Sequence, residues 1–219
     1  MFVKMETREL LIRLPDIELP GILTIPADPV GIVVFSHGSG SSRLSPRNNY
    51  VAKQLNKSQF ATLLFDLLSR EEDLVYENRF DIDLLTRRLV DVTRWVLKNE
   101  YIRDLAIGYF GASTGAASAL KAAAILGNKI SAVVSRGGRP DLAGSEELNR
   151  VSAPTLLIVG ERDEVVIGLN QKAFAHLSCE KSLVLIPGAT HLFEEAGTLD
   201  QVTDTTAEWF EKHLKNDHV

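Results

Sequence analysis

Apolar and polar positions along the chain change period several times, and each change marks an element. Residues 3–14 and 17–25 read as strands. The short Leu14-Pro15-Asp16 turn between them predicts a hairpin. Gly31-Ile32-Val33-Val34-Phe35-Ser36 is a continuous β-branched apolar run, the pattern of a strand buried on both faces of a parallel sheet. Similar runs recur at 60–65, 105–110, 130–134, 155–159 and 182–186. Between them the spacing lengthens to three and four. Ile82, Leu85, Leu89, Val92 and Val96 share one helical face, and Pro46 can open a helix that runs on through Val51 and Leu55. The alanine-rich stretch 114–126, residues 167–177 and residues 199–214 predict three more helices, the last with Val202, Trp209 and Phe210 turned inward. A strand pair followed by strand-helix alternation predicts a single α/β domain over residues 1–219. Its form is a three-layer α/β/α sandwich around an eight-stranded, mostly parallel sheet. Such sheets bind ligands at the carboxyl ends of their strands, so the chemistry belongs in the loops that follow strands.

Composition narrows the partners. Hydrophobic residues make up 45% and charged residues 24% of 219, an ordinary globular balance. A net charge of −5 disfavours a nucleic-acid partner. Cys179 is the single cysteine, so no internal disulfide forms and a reducing compartment fits. Charges interrupt the first ten residues, and no apolar run approaches a membrane span. A cytoplasmic protein without a membrane partner is therefore expected. The sequence leaves a homo-oligomer open.

The sharpest chemical signal is Gly111-Ala112-Ser113-Thr114-Gly115, set between the run 105–110 and the alanine-rich helix. A G-x-S-x-G on a strand-to-helix turn has the context of a nucleophile elbow. Glycine permits the tight turn, and the helix start favours developing negative charge beside the serine. Serine needs a base. His191 follows a late strand and precedes the last helix, in a loop that can reach over the elbow. His176 lies inside a helical pattern, His213 and His218 lie near the chain end, and His37 follows an early strand. Gly160-Glu161-Arg162-Asp163 supplies the third member after the run 155–159. Asp163 is favoured over Glu161 and Glu164, with capping of the next helix as its alternative role. The order Ser113, Asp163, His191 suits this kind of sheet and differs from that of two serine-protease folds. The Thr114 N–H and the Ser39 N–H, with Gly40 as alternative, are the candidate oxyanion donors, because His37-Gly38-Ser39-Gly40-Ser41-Ser42 is a small-residue loop after the third strand. That loop lacks the third glycine of a dinucleotide fingerprint, and no Gly-Lys-Ser/Thr motif occurs.

Arg43, Arg47, Arg136 and Arg139 fall in strand-end loops, and His37 stands beside them. They are candidate substrate contacts for an anionic group. The alternative is structural pairing with Asp66, Glu71, Glu72, Asp73 or Asp141. No His-Glu-x-x-His or cysteine cluster suggests a metal, and no cofactor is expected.

Together these motifs resemble the α/β-hydrolase superfamily over nearly the whole chain, and within it the small dienelactone-hydrolase-like proteins. Residues 37–48 and Ser135-Arg136-Gly137-Gly138-Arg139-Pro140-Asp141 are similar to a bacterial branch of that group. The resemblance implies Ser113 as nucleophile, Asp163 as acid, His191 as base and the Ser39 and Thr114 N–H groups as oxyanion hole. It also implies a small-molecule carboxylic ester as substrate. Dienelactone hydrolase proper carries cysteine where this chain has Ser113, a departure that bears on the dienelactone substrate and leaves ester chemistry intact. Large lids of the superfamily are inserted between the sixth and seventh strands. Only residues 135–153 lie there, so a minimal lid and small, exposed acyl groups are expected. Two other readings remain: a slow ligand-binding or sensing protein on this fold, and an acyltransferase or perhydrolase using the same triad.

Overall fold

The computed structural model describes residues 5–214. Residues 3 and 4 of the first expected strand, and His218, lie outside that range. The strands are β1 (Glu6–Arg13), β2 (Glu18–Ile25), β3 (Gly31–Ser36), β4 (Phe60–Phe65), β5 (Ile107–Ala112), β6 (Ala132–Arg136), β7 (Thr155–Gly160) and β8 (Lys181–Ile186). They form one eight-stranded sheet in the order β1-β2-β4-β3-β5-β6-β7-β8. β2 runs antiparallel to both β1 and β4, and every other pair is parallel. The expected hairpin closes where the Leu14 N–H donates to the Ile17 carbonyl at 2.9 Å.

Every residue of β3, β4, β5, β6 and β7 is buried, as continuous apolar runs require when helices cover both faces. Helices α1 (Pro46–Lys57) and α7 (Thr198–Leu214) cover one face, where Val51, Leu55, Val202 and Phe210 meet Phe60 and Phe110. Helices α3 (Ile82–Val96), α4 (Thr114–Leu126) and α6 (Glu164–His176) cover the other, where Leu85, Leu89, Val96, Leu120 and Ala173 are buried. Local chemistry sets the helix starts. The Ser45 side chain accepts from the Asn48 N–H with Pro46 in the first turn, and the Asp81 side chain accepts from the Leu84 N–H. Trp209, expected inside, is only partly buried, while Val202 and Phe210 are buried fully.

Five short elements went unanticipated: α2 (Arg70–Asp73), α5 (Ser145–Arg150) and the 3-10 turns Tyr76–Phe80, Gly127–Lys129 and Pro140–Ala143. A one-turn helix is too short to establish a period. Its signals are local, such as the Ser69/Glu72 capping box that opens α2. The Pro140–Ala143 turn and α5 fill the short β6–β7 connection, and no larger lid stands there. Among the described residues, no helix is long and apolar enough to cross a membrane.

The strand order creates one crevice. β3 and β5 are neighbours, yet α1 leaves β3 towards one face and α4 leaves β5 towards the other. Their carboxyl ends therefore part, and a ligand can enter between the two loops.

Candidate active site

Ser113 stands at the end of β5 with φ 51° and ψ −123°, a left-handed conformation rare for a residue with a side chain. Such a residue costs about 1–3 kcal/mol and persists only where its surroundings over-determine it. Here the bracing comes from the loop after β6. The Ser113 N–H donates to the Arg136 carbonyl at 3.3 Å, and the Ser113 carbonyl accepts from Arg139 at 3.0 Å and Ala116 at 3.1 Å. The two elbow glycines meet neighbouring backbone. A Cβ on Gly111 would lie 2.5 Å from Ala116 Cα, and one on Gly115 would lie 2.5 Å from the His37 carbonyl oxygen.

The loop after β8 delivers His191. Its Nδ1 lies 2.6 Å from Asp163 Oδ2. An ionised carboxylate only accepts, so Nδ1 carries the proton and Nε2 is left as acceptor. Asp163 sits at the start of α6 without capping it, so its carboxylate is available to the imidazole. Glu161 is occupied elsewhere, accepting from the Gly188 N–H at 2.8 Å, and Glu164 lies exposed in the first turn of α6. Phe193, two residues past His191, is buried at φ 55°. Its ring would meet a Cβ on Gly137 at 3.3 Å, which locks the histidine loop against the end of β6.

Ser113 and His191 line one cavity of about 240 Å³, together with Gly38, Ser39, Arg47, Asn48 and Arg136. Asn48 was not singled out from the sequence. Its signal was a polar residue on the face of α1 that carries Val51 and Leu55.

The oxyanion donors depart in part from expectation. The Thr114 N–H is the first of α4 and has no acceptor within its helix. The Ser39 N–H is engaged, donating to Thr114 Oγ1 at 2.8 Å. Ser39 can serve an oxyanion only by giving up that bond.

The candidate substrate contacts separate. His37 is buried, and both ring nitrogens are committed to backbone. Its Nε2 accepts from the Leu67 N–H at 3.0 Å, so Nδ1 is protonated and donates to the Gly38 carbonyl at 2.9 Å. Burial holds its pKa below the ordinary imidazole value. The expectation of a substrate contact is therefore replaced by a positioning role. Pinning the Gly38 carbonyl aims the N–H of the same trans peptide, that of Ser39, the opposite way. Arg43 pairs with Asp66 through both its guanidinium (2.5 Å) and its backbone N–H (2.7 Å). Arg139 makes a two-point pair with Asp141. For both, structural pairing is what the fold uses. Arg47 lines the cavity and reaches Glu194 at 3.0 Å in an exposed pair. Arg136 is the last residue of β6, buried, and its Nη2 donates to Asn48 Oδ1 at 3.2 Å. Burial, with Arg47 nearby, pushes its pKa down to about 10, so it is still cationic at neutral pH.

Known proteins resemble this chain in sequence and fold. Residues 29–215 match the model of a family described as alpha/beta hydrolase domain. Two strains of Mycobacterium tuberculosis hold a relative 57% identical over 198 residues and provisionally named a phosphoribosyl transferase. The match takes in 90% of this chain but only 44% of that protein, so the chain spans less than half the length of these curated relatives. The crystal structure of a dienelactone hydrolase from Anabaena variabilis is 49% identical and superposes with a TM-score of 0.93, over 96% of this chain and 99% of that one. A cold-adapted esterase from an Arctic intertidal metagenomic library shares the fold at 16% identity, with a TM-score of 0.78 over 96% and 95% of the two chains. With the family match over most of its length and a dienelactone hydrolase at 49% identity, the chain belongs to the α/β-hydrolase family, among its dienelactone-hydrolase-like members.

Proposed function

We propose that this chain hydrolyses small carboxylic esters through an acyl-enzyme on Ser113. The observation that carries the reading is the 2.6 Å contact from Asp163 to His191 Nδ1, which leaves Nε2 as a base on the cavity that Ser113 also lines. His191 Nε2 takes the hydroxyl proton as Ser113 Oγ bonds to the carbonyl carbon, and the π electrons move to the carbonyl oxygen. The Thr114 N–H receives that oxyanion, joined by the Ser39 N–H when it exchanges Thr114 Oγ1 for the new charge. Collapse breaks the ester bond, and the leaving alkoxide departs with the proton held by His191. Water repeats the sequence and releases the acid. Asp163 keeps the imidazole in the required tautomer and stabilises its cation.

The Anabaena dienelactone hydrolase supports hydrolytic chemistry at this site. The name of the mycobacterial relatives points elsewhere, but they are more than twice as long as the matched segment.

The test is labelling by a fluorophosphonate probe beside turnover of p-nitrophenyl acetate. Ser113→Ala should abolish labelling and lower kcat by about 10⁴- to 10⁶-fold, and Asp163→Asn should lower it by about 10⁴-fold. A folded wild-type protein that neither labels nor turns over ester would overturn the reading and favour a binding or sensing role.

A further inference from the structure

The two most deeply buried arginines among the described residues have opposite surroundings. Arg88, 7% exposed, pairs with Asp16 at 2.9 Å and Glu72 at 2.7 Å. Arg136, 9% exposed, has no carboxylate partner among the described residues. Among the described residues its guanidinium makes one hydrogen bond, the neutral contact to Asn48, its Nε has no acceptor, and the Phe193 ring lies 6.0 Å from the guanidinium carbon. A buried cation without a counter-ion is costly, normally by several kcal/mol. Carboxylates for pairing are at hand in neighbouring loops, where Asp66 and Asp141 serve Arg43 and Arg139. Arg136 instead lines the cavity of Ser113 and His191. Arg47, a second guanidinium, lines the same cavity, and among the described residues no acidic one does. Arg136 therefore brings a positive charge with no carboxylate partner to the cavity that Ser113 lines, whereas Arg47 shares its charge with Glu194.

We propose that Arg136, with Arg47 beside it and Asn48 holding its guanidinium, forms a subsite for an anionic group, carboxylate or phosphate, on the ester that Ser113 attacks. This specifies the substrate class of the reading above and rests on it for the position of the scissile bond. A guanidinium matches either anion through paired donors, and in a buried site each charge-assisted bond counts for more than at the surface. Asn48 accepts from Nη2 and so turns the fork without neutralising it. Arg43 and Arg139 take no part.

Anion binding and turnover test the two readings separately. Inorganic phosphate and succinate are titrated into Ser113→Ala protein by calorimetry, with succinamide as neutral control. Binding of either anion but not of succinamide is expected, weakened about 10- to 100-fold by adding Arg136→Met. Which anion binds decides between phosphate and carboxylate. In the protein with Ser113 intact, kcat/KM is compared for p-nitrophenyl hemisuccinate and p-nitrophenyl acetate. Arg136→Met should lower the ratio of the two at least tenfold, Arg136→Lys should restore part of it, and Arg43→Met should leave it in place. Replacing an unpaired buried cation by an apolar side chain should not lower the melting temperature, whereas a purely structural arginine would be missed on heating. Neither anion binding to Ser113→Ala, or both esters losing equally in Arg136→Met, would overturn the subsite while leaving the hydrolase reading intact. Anion binding without any ester turnover would sink the hydrolase reading and keep the subsite.

Discussion

Replacing Gly115 with alanine adds one methyl group where the elbow has least room. The new Cβ would lie 2.5 Å from the His37 carbonyl oxygen and nearer still to that of Ser36, although real Cβ atoms essentially never come within 3.0 Å of such neighbours. Both obstacles are backbone, so no rotamer change relieves them. The start of α4 and the loop after β3 must part by more than half an ångström. Two effects then compete. Alanine is favoured over glycine in a helix by about 1 kcal/mol. Overpacking a close backbone contact costs about 1–3 kcal/mol and takes the larger share. The same movement separates Ser113 from the oxyanion loop, and a misplacement of about 1 Å can cost about 10²-fold in rate. Gly115→Ala should therefore unfold at lower urea and react with a fluorophosphonate one to two orders of magnitude more slowly than wild type, by the same estimate. A variant as stable as wild type that labels within twofold of its rate would refute the claim that this contact holds the nucleophile in place.

Two further predictions concern buried polar groups. Thr93 Oγ1 donates to the Leu89 carbonyl at 2.8 Å, so it must accept the hydroxyl proton of fully buried Tyr109 at 2.5 Å. Thr93→Val strands that hydroxyl and should cost about 1–3 kcal/mol in chemical denaturation, most of it recovered in the double variant with Tyr109→Phe; an additive double variant would refute the pairing. Burial keeps neutral His37 below its unfolded pKa of 6.5, so below that pH the unfolded chain takes up the proton more readily than the folded one. The contribution of His37 to stability should be complete above about pH 6.5 and fall as pH drops through the interval below it. His37→Gln should flatten that part of the curve, which urea midpoints from pH 7 to 5 would reveal, and an unchanged slope would count against the neutral, backbone-bound imidazole.

Much of the architecture is legible along the chain because its signals are local. β3 and β4 are continuous apolar runs, and their boundaries coincide with those of the strands. A period of three and four runs through α3, and the elbow is announced by two glycines around Ser113 on a strand-to-helix junction. Chain order alone separates Ser113, Asp163 and His191 and assigns each to a different strand end. What only the tertiary structure decides is pairing between distant residues. Nothing in sequence distinguishes Arg43, Arg139 and Arg136, each a guanidinium in a strand-end loop with acids nearby. Folding puts Asp66 and Asp141 against the first two and, among the described residues, no carboxylate against the third, because Arg136 ends a central strand that opens into the crevice rather than onto the surface. In the same way, an N–H free in sequence terms, that of Ser39, meets a hydroxyl 75 residues away. Backbone preference and hydrophobic period act over a few residues and can be read in one dimension. Charge compensation and hydrogen-bond partnership depend on which chain segments the sheet order brings together.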